Sequence, residues 1–161
     1  MVDIVLGPAI DALVRRLADA CRDRGLTLAT AESLTGGQLA AAISSGPESG
    51  SWYRGGIVAY HPSVKYTLLG APRGPVVRPE TAVAMAESTA RILNADYAAA
   101  VTGVGGPEPQ EGKPAGTVFL ATVAPERGAR VEPHVFSGEP AEVLAATVEA
   151  TLTALLGRIL E

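Results

Sequence analysis

The sequence predicts an α/β fold: a three-layer α/β/α sandwich around a mixed, mostly parallel sheet, in one domain spanning residues 1–161. Two observations predict it. Segments with apolar residues at helical spacing alternate with short apolar, strand-like runs along most of the chain, the order expected when crossover helices join parallel strands. Two strand-like runs then follow one another directly before a closing helix, which adds antiparallel pairing and makes the sheet mixed. At 161 residues the chain is long enough to bury a substantial core, and neither a repeat nor a long linker divides it.

The elements follow in order. From Pro8 to Arg24, Ile10, Leu13, Val14 and Leu17 make a helical stripe that Gly25 ends. "LTLATAES" reads as a strand, Thr35-Gly-Gly punctuates it, and "QLAAAIS" reads as a helix stopped by Gly46-Pro47. "YRGGIVAY" is strand-like, and Pro62 suits the first turn of the helix "SVKYTLLG". "APRGPVVRPE" is a loop, followed by a helix from about Pro79 to Leu93 carrying Val83, Met85, Ala86 and Ile92. "DYAAAVTGVGGP" is a buried strand running into a glycine turn. "GTVFLATVA" and "RVEPHVFSG" are two strands joined around "PERGA". The last helix, Pro140 to Leu160, carries Leu144, Val148, Leu152, Leu155 and Ile159.

Composition excludes some functions. The net charge is −4, and no basic cluster interleaves with the four tyrosines, two phenylalanines and one tryptophan, so a charged nucleic-acid groove is not expected. A small anion remains compatible, because backbone amides hold one without a basic surface. The longest weakly polar stretch, Leu144 to Leu156, is broken by threonines and Glu149 and reads as too short to span a membrane. The N-terminus has an acid at position 3 and no basic stretch before an apolar one, so no signal peptide is expected. Cys21, the only cysteine, lies on an apolar helix face beside Leu17 and reads as packing in a reducing cytoplasm. No spacing suggests a metal site, and no cofactor is expected.

Two strand-to-loop corners are rich in small residues, "ESLTGG" and "TGVGGPEPQEGKPAG". Ligands in open α/β sheets bind outside the carboxyl ends of strands, where such corners lie. The second corner fails two nucleotide motifs on spacing. A dinucleotide fingerprint starting at Gly103 and Gly105 needs glycine at 108, which is Glu108. A P-loop ending at Gly112-Lys113 needs glycine at 107 and Ser or Thr at 114, and both are proline. What remains is a set of glycine amides able to converge on an anion, with Thr102 adding a hydroxyl. A plain tight turn explains the same residues.

Taken in order, "TAESLTGG", "GGIVAYHPSVKYTLLG" and "AVTGVGGPEPQEGKPAGTVFLA" resemble the CinA C-terminal domain family, also known as nicotinamide-nucleotide amidases. The resemblance runs over about residues 8 to 156. It implies a compact α/β/α domain, commonly oligomeric, that hydrolyses the carboxamide of nicotinamide mononucleotide to nicotinate mononucleotide and ammonia. The family's nucleophilic serine falls on Ser33, its lysine on Lys65 and its tyrosine on Tyr60. The chemistry is coherent: a serine hydroxyl needs a base, and a neutral lysine of lowered pKa replaces the histidine that the sequence does not place suitably. Tyr60 is then expected to relay the proton, and the amides near Thr35, Gly36 and Gly37 to stabilise the oxyanion. Thr102, Gly103, Gly105 and Gly106 are expected to contact the phosphate or ribose. Glu32 reads either as a partner of the lysine or as a surface acid.

One departure stands out. Where relatives open the last helix with two arginines four residues apart, "FSGEPAEVLAAT" carries Pro140 and Leu144. Neither side chain donates a hydrogen bond to phosphate. Either the glycine corners with Thr102, or Lys113, Arg73 or Arg78, hold the phosphate, or the ligand lacks one. The rival function is a catalytically weak or inactive nucleotide-binding, competence-associated accessory protein.

Overall fold

Residues 7–161 are described by a computed structural model; residues 1–6, on which the reading of the N-terminus as no signal peptide partly rests, lie outside the described residues. The chain runs α1 (Gly7–Arg24), β1 (Leu28–Glu32), α2 (Gln38–Ser44), a 3-10 turn (Ser49–Ser51), β2 (Tyr53–Val58), α3 (Pro62–Thr67), α4 (Pro79–Ile92), β3 (Tyr97–Gly103), β4 (Thr117–Ala124), β5 (Gly128–Val135) and α5 (Pro140–Leu160). The predicted three layers and mixed sheet are present. The strand order is β2-β1-β3-β4-β5, with β1 parallel to both β2 and β3. β4 runs antiparallel to β3 and β5: a loop without a helix joins β3 to β4 and a short turn joins β4 to β5, where helices join the earlier strands.

Each face of the sheet is covered for a reason visible in the residues. Leu17, Cys21, Leu39, Leu152 and Leu155 pack with Leu28 and Ala99 on one face, under α1, α2 and α5. Met85, Ala82 and Ala86 of α4 pack with Ala31, Ala100 and Ala121 on the other. Cys21 is fully buried, and burial pushes its thiol up to about 12, as packing requires. Alanine on both faces of β3 lets helices approach the sheet closely. Pro133 sits in β5 opposite Phe119, a place open to proline because β5 is an edge strand.

α5 corrects the expectation about membrane spans. It has 21 residues, with a mean hydropathy of 1.6 over its most apolar window, and is long and apolar enough to cross a bilayer by length and composition. Half of that window is buried inside the protein. The threonines that made the stretch look interrupted turn inward: Thr147 and Thr151 donate to the carbonyls of Val143 and Thr147, both at 2.7 Å, so they are compatible with the core.

β1, β2 and β3 are mutually parallel and end on the same side of the sheet. Ser33 follows β1, Tyr60 follows β2 and Gly103 ends β3, so three separate pieces of chain deliver their loops to one rim.

Candidate active site

The β1 rim is organised by Glu32. Its carboxylate is completely buried and accepts from the amides of Gly37, Leu39 and Ala40 at 3.2, 2.8 and 3.0 Å. These are the first-turn donors of α2 that its own helix leaves unpaired. Gly36 and Gly37 adopt φ of 55° and 105°, a left-handed path that folds α2 back over Glu32 and that other residues take only with strain. Glu32 is therefore neither a lysine partner nor a surface acid.

This arrangement corrects the expected oxyanion donors. The Gly37 amide is held by Glu32, and the Gly36 amide donates to the Ser33 carbonyl at 3.0 Å. Thr35 is buried with a hydroxyl that finds no partner among the described residues, and none of the three residues lines the cavity described next. The signal that was missed is Glu32 itself, an acid at the end of β1, one short turn ahead of a helix start.

A cavity of about 460 Å³ opens at the rim. Ser33, Tyr60, Lys65, Thr102, Gly103, Gly105 and Gly106 all line it. Ser33 stands at the mouth, 7% exposed. Lys65, on α3, is 1% exposed, and its Nζ donates to the Tyr60 carbonyl at 3.1 Å. Burial pulls the ammonium down to about 8, with the Glu111 carboxylate offsetting part of that. No hydrogen bond joins Lys65 Nζ to Ser33 Oγ among the described residues. Tyr60 meets the lysine through its main chain, whereas its side chain is on the exposed rim, the residue being 70% accessible. His61 caps α3, its Nδ1 accepting from the Ser63 amide at 3.1 Å.

The far wall includes Glu111, Val76 and Val77, which local pattern did not single out. Glu111 accepts from the successive amides of Val76 and Val77 at 2.9 and 2.8 Å, and Thr102 donates its hydroxyl to the Val76 carbonyl at 2.9 Å. The Thr102 hydroxyl, expected to serve a ligand, thus fastens the 76–77 segment instead. Gly103 is required by close approach, since a Cβ there would lie 2.5 Å from the Thr117 carbonyl oxygen. Pro140 and Leu144 of α5 complete the lining. None of Lys113, Arg73 or Arg78 lines the cavity; Arg78 donates to the carbonyls of Pro72 and Arg73, and Arg73 lies over the Tyr66 ring. A second groove, of about 550 Å³ between β5 and α5, contains no predicted site residue.

Known proteins share this architecture. The model of the CinA C-terminal domain matches residues 10–159. A CinA-like protein from Frankia casuarinae is 41% identical over 127 residues, covering 76% of this chain and 29% of its own length. One from Geobacter metallireducens is 36% identical over 160 residues, covering 96% of this chain and 38% of its own. The chain thus spans about a third of the length of the curated relatives it matches. The crystal structure of a competence-damaged protein (CinA) superfamily protein from Enterobacter cloacae superposes with a TM-score of 0.89 at 33% identity, covering 93% of this chain and 92% of that one. That of the competence damage-inducible protein A (ComA) from Klebsiella pneumoniae gives 0.90 at 31%, covering 94% and 98%. With a family match over nearly its whole length and the same fold in solved relatives, the chain belongs to the CinA C-terminal domain family.

Proposed function

We propose that this chain is an amidohydrolase of the nicotinamide-nucleotide amidase type, working through Ser33 and Lys65. The observation that carries the reading is a fully buried lysine, drawn down to about 8, lining the same cavity as a serine at a strand's carboxyl end. A lysine in that range is neutral often enough near neutral pH to take a proton. Ser33 Oγ attacks the carboxamide carbon as Lys65 Nζ takes its proton. Lys65 then protonates the amide nitrogen, which leaves as ammonia. Water, deprotonated by Lys65, hydrolyses the resulting ester, and Ser33 recovers its proton as the carboxylate product departs. The amides of Leu34 and Gly105 are the candidate oxyanion donors, since both residues line the cavity and neither amide has a backbone acceptor among the described residues. The Tyr60 carbonyl orients the amine.

The expected setting is cytoplasmic pyridine-nucleotide salvage by a homo-oligomer, whose mass in solution light scattering would measure. The decisive assay is ammonia release from nicotinamide mononucleotide and related pyridine carboxamides. Wild type should release ammonia from at least one of these carboxamides, and Ser33→Ala and Lys65→Ala should each lose at least about a hundredfold in kcat on it. Equal rates in all three proteins would remove the mechanism. A second reading, a nucleotide-binding accessory protein with a vestigial site, draws on Pro140 and Leu144 in the lining. It predicts calorimetric binding of the nucleotide without turnover.

A further inference from the structure

We propose that the cavity is built for an uncharged carboxamide, a pyridine amide bearing at most a neutral sugar, and discriminates against its phosphate monoester. The proposal rests on the amidohydrolase reading and follows from where the local donors and charges are.

A phosphate dianion needs cations or free converging amides. Among the described residues the one lysine or arginine lining the cavity is Lys65, and its Nζ donates to the Tyr60 carbonyl. Apart from the Leu34 amide and the glycine turn, the amides that would otherwise serve an anion already face carboxylates. Glu32 holds the start of α2. Glu139 and Glu142 close the start of α5 as a reciprocal capping box. Glu111 holds Val76 and Val77 and is itself the acid that lines the cavity.

The glycine turn is the remaining anion candidate, and apolar side chains stand beside it. Leu144 Cδ2 and Leu34 Cβ stand 3.8 and 3.9 Å from the Cβ position of Gly105. Pro140 Cγ and Ala115 Cβ stand 4.0 and 3.0 Å from that of Gly106. An amide in such apolar surroundings suits a carbonyl oxygen or a neutral sugar hydroxyl. A dianion placed there would lose its hydration without gaining a cation, and would face the Glu111 carboxylate.

The test is calorimetric titration of Ser33→Ala, which cannot turn over, with nicotinamide riboside and with nicotinamide mononucleotide. Wild-type ammonia release from both is measured alongside. The riboside is expected to bind at least about tenfold more tightly, roughly 1.4 kcal/mol. Inorganic phosphate at millimolar concentration is expected not to compete with it. Leu144→Arg, which adds a fork over the glycine turn, should shift the preference toward the mononucleotide by at least about tenfold. Equal or tighter binding of the mononucleotide, competition by phosphate, or no binding of the riboside would each overturn the proposal. Binding with the expected preference but no ammonia from either compound would overturn the amidase reading and leave the charge selectivity standing.

Discussion

Lys65 is where cost and use meet at the residue scale. Its ammonium titrates near 8 in the folded chain against an ordinary 10.5. Below about pH 8 both folded and unfolded chains carry the proton, and the folded one bears the whole desolvation penalty. Between 8 and 10.5 the penalty fades as the folded amine loses its proton first, and above 10.5 it is gone. Lys65→Met should therefore abolish turnover yet stabilise the fold on the order of 1–3 kcal/mol near pH 6–7. That gain should shrink toward pH 10.5 in thermal melts run across pH; no gain at pH 6–7 would mean that the amine is hydrated. Wild-type kcat/KM should rise with pH and level off above about 8, as the neutral base fills. Lys65 was legible in the sequence through its motif. Its burial was not, because one turn of helix cannot show what will be packed over it.

Among the elements, α2 illustrates how a short helix is held. Seven residues are too few to be stable alone, and Glu32 supplies acceptors for three amides of its first turn. Glu32→Gln removes the charge and turns one oxygen into a donor facing amides. It should cost about 1.5–3 kcal/mol by urea denaturation and loosen the adjoining Ser33. The closing helix has a capping box at its start, but burial along its length does most to hold it. Leu152 is 0% exposed between α1 and the sheet, and Leu152→Ala should cost about 2–5 kcal/mol in the same measurement. Both helix spans were readable from spacing and punctuation. What failed was the use assigned to the amides before α2, since turn glycines announce an unusual backbone path but not which acceptor closes it.

For the molecule as a whole, the order of elements was legible because helical spacing, strand runs, glycine stops and proline starts are local signals. So was the meeting of Ser33, Tyr60 and Thr102 at one rim, since parallel strands present their carboxyl ends together whatever their detailed packing; Lys65 was placed with them by the family resemblance. The sequence alone thus determined the class of fold, the succession of helices and strands, and the small set of residues gathered at the site. The tertiary structure decided which polar groups remain available to a ligand. Glu111 meets Val76 and Val77 across 35 and 34 residues, Thr102 meets Val76 across 26, and Leu144 comes to lie over Gly105. Such pairings depend on the positions of distant chain segments, and no periodicity within a segment records them. A donor's chemistry is written in its residue type, but its availability is settled only when the chain closes around it.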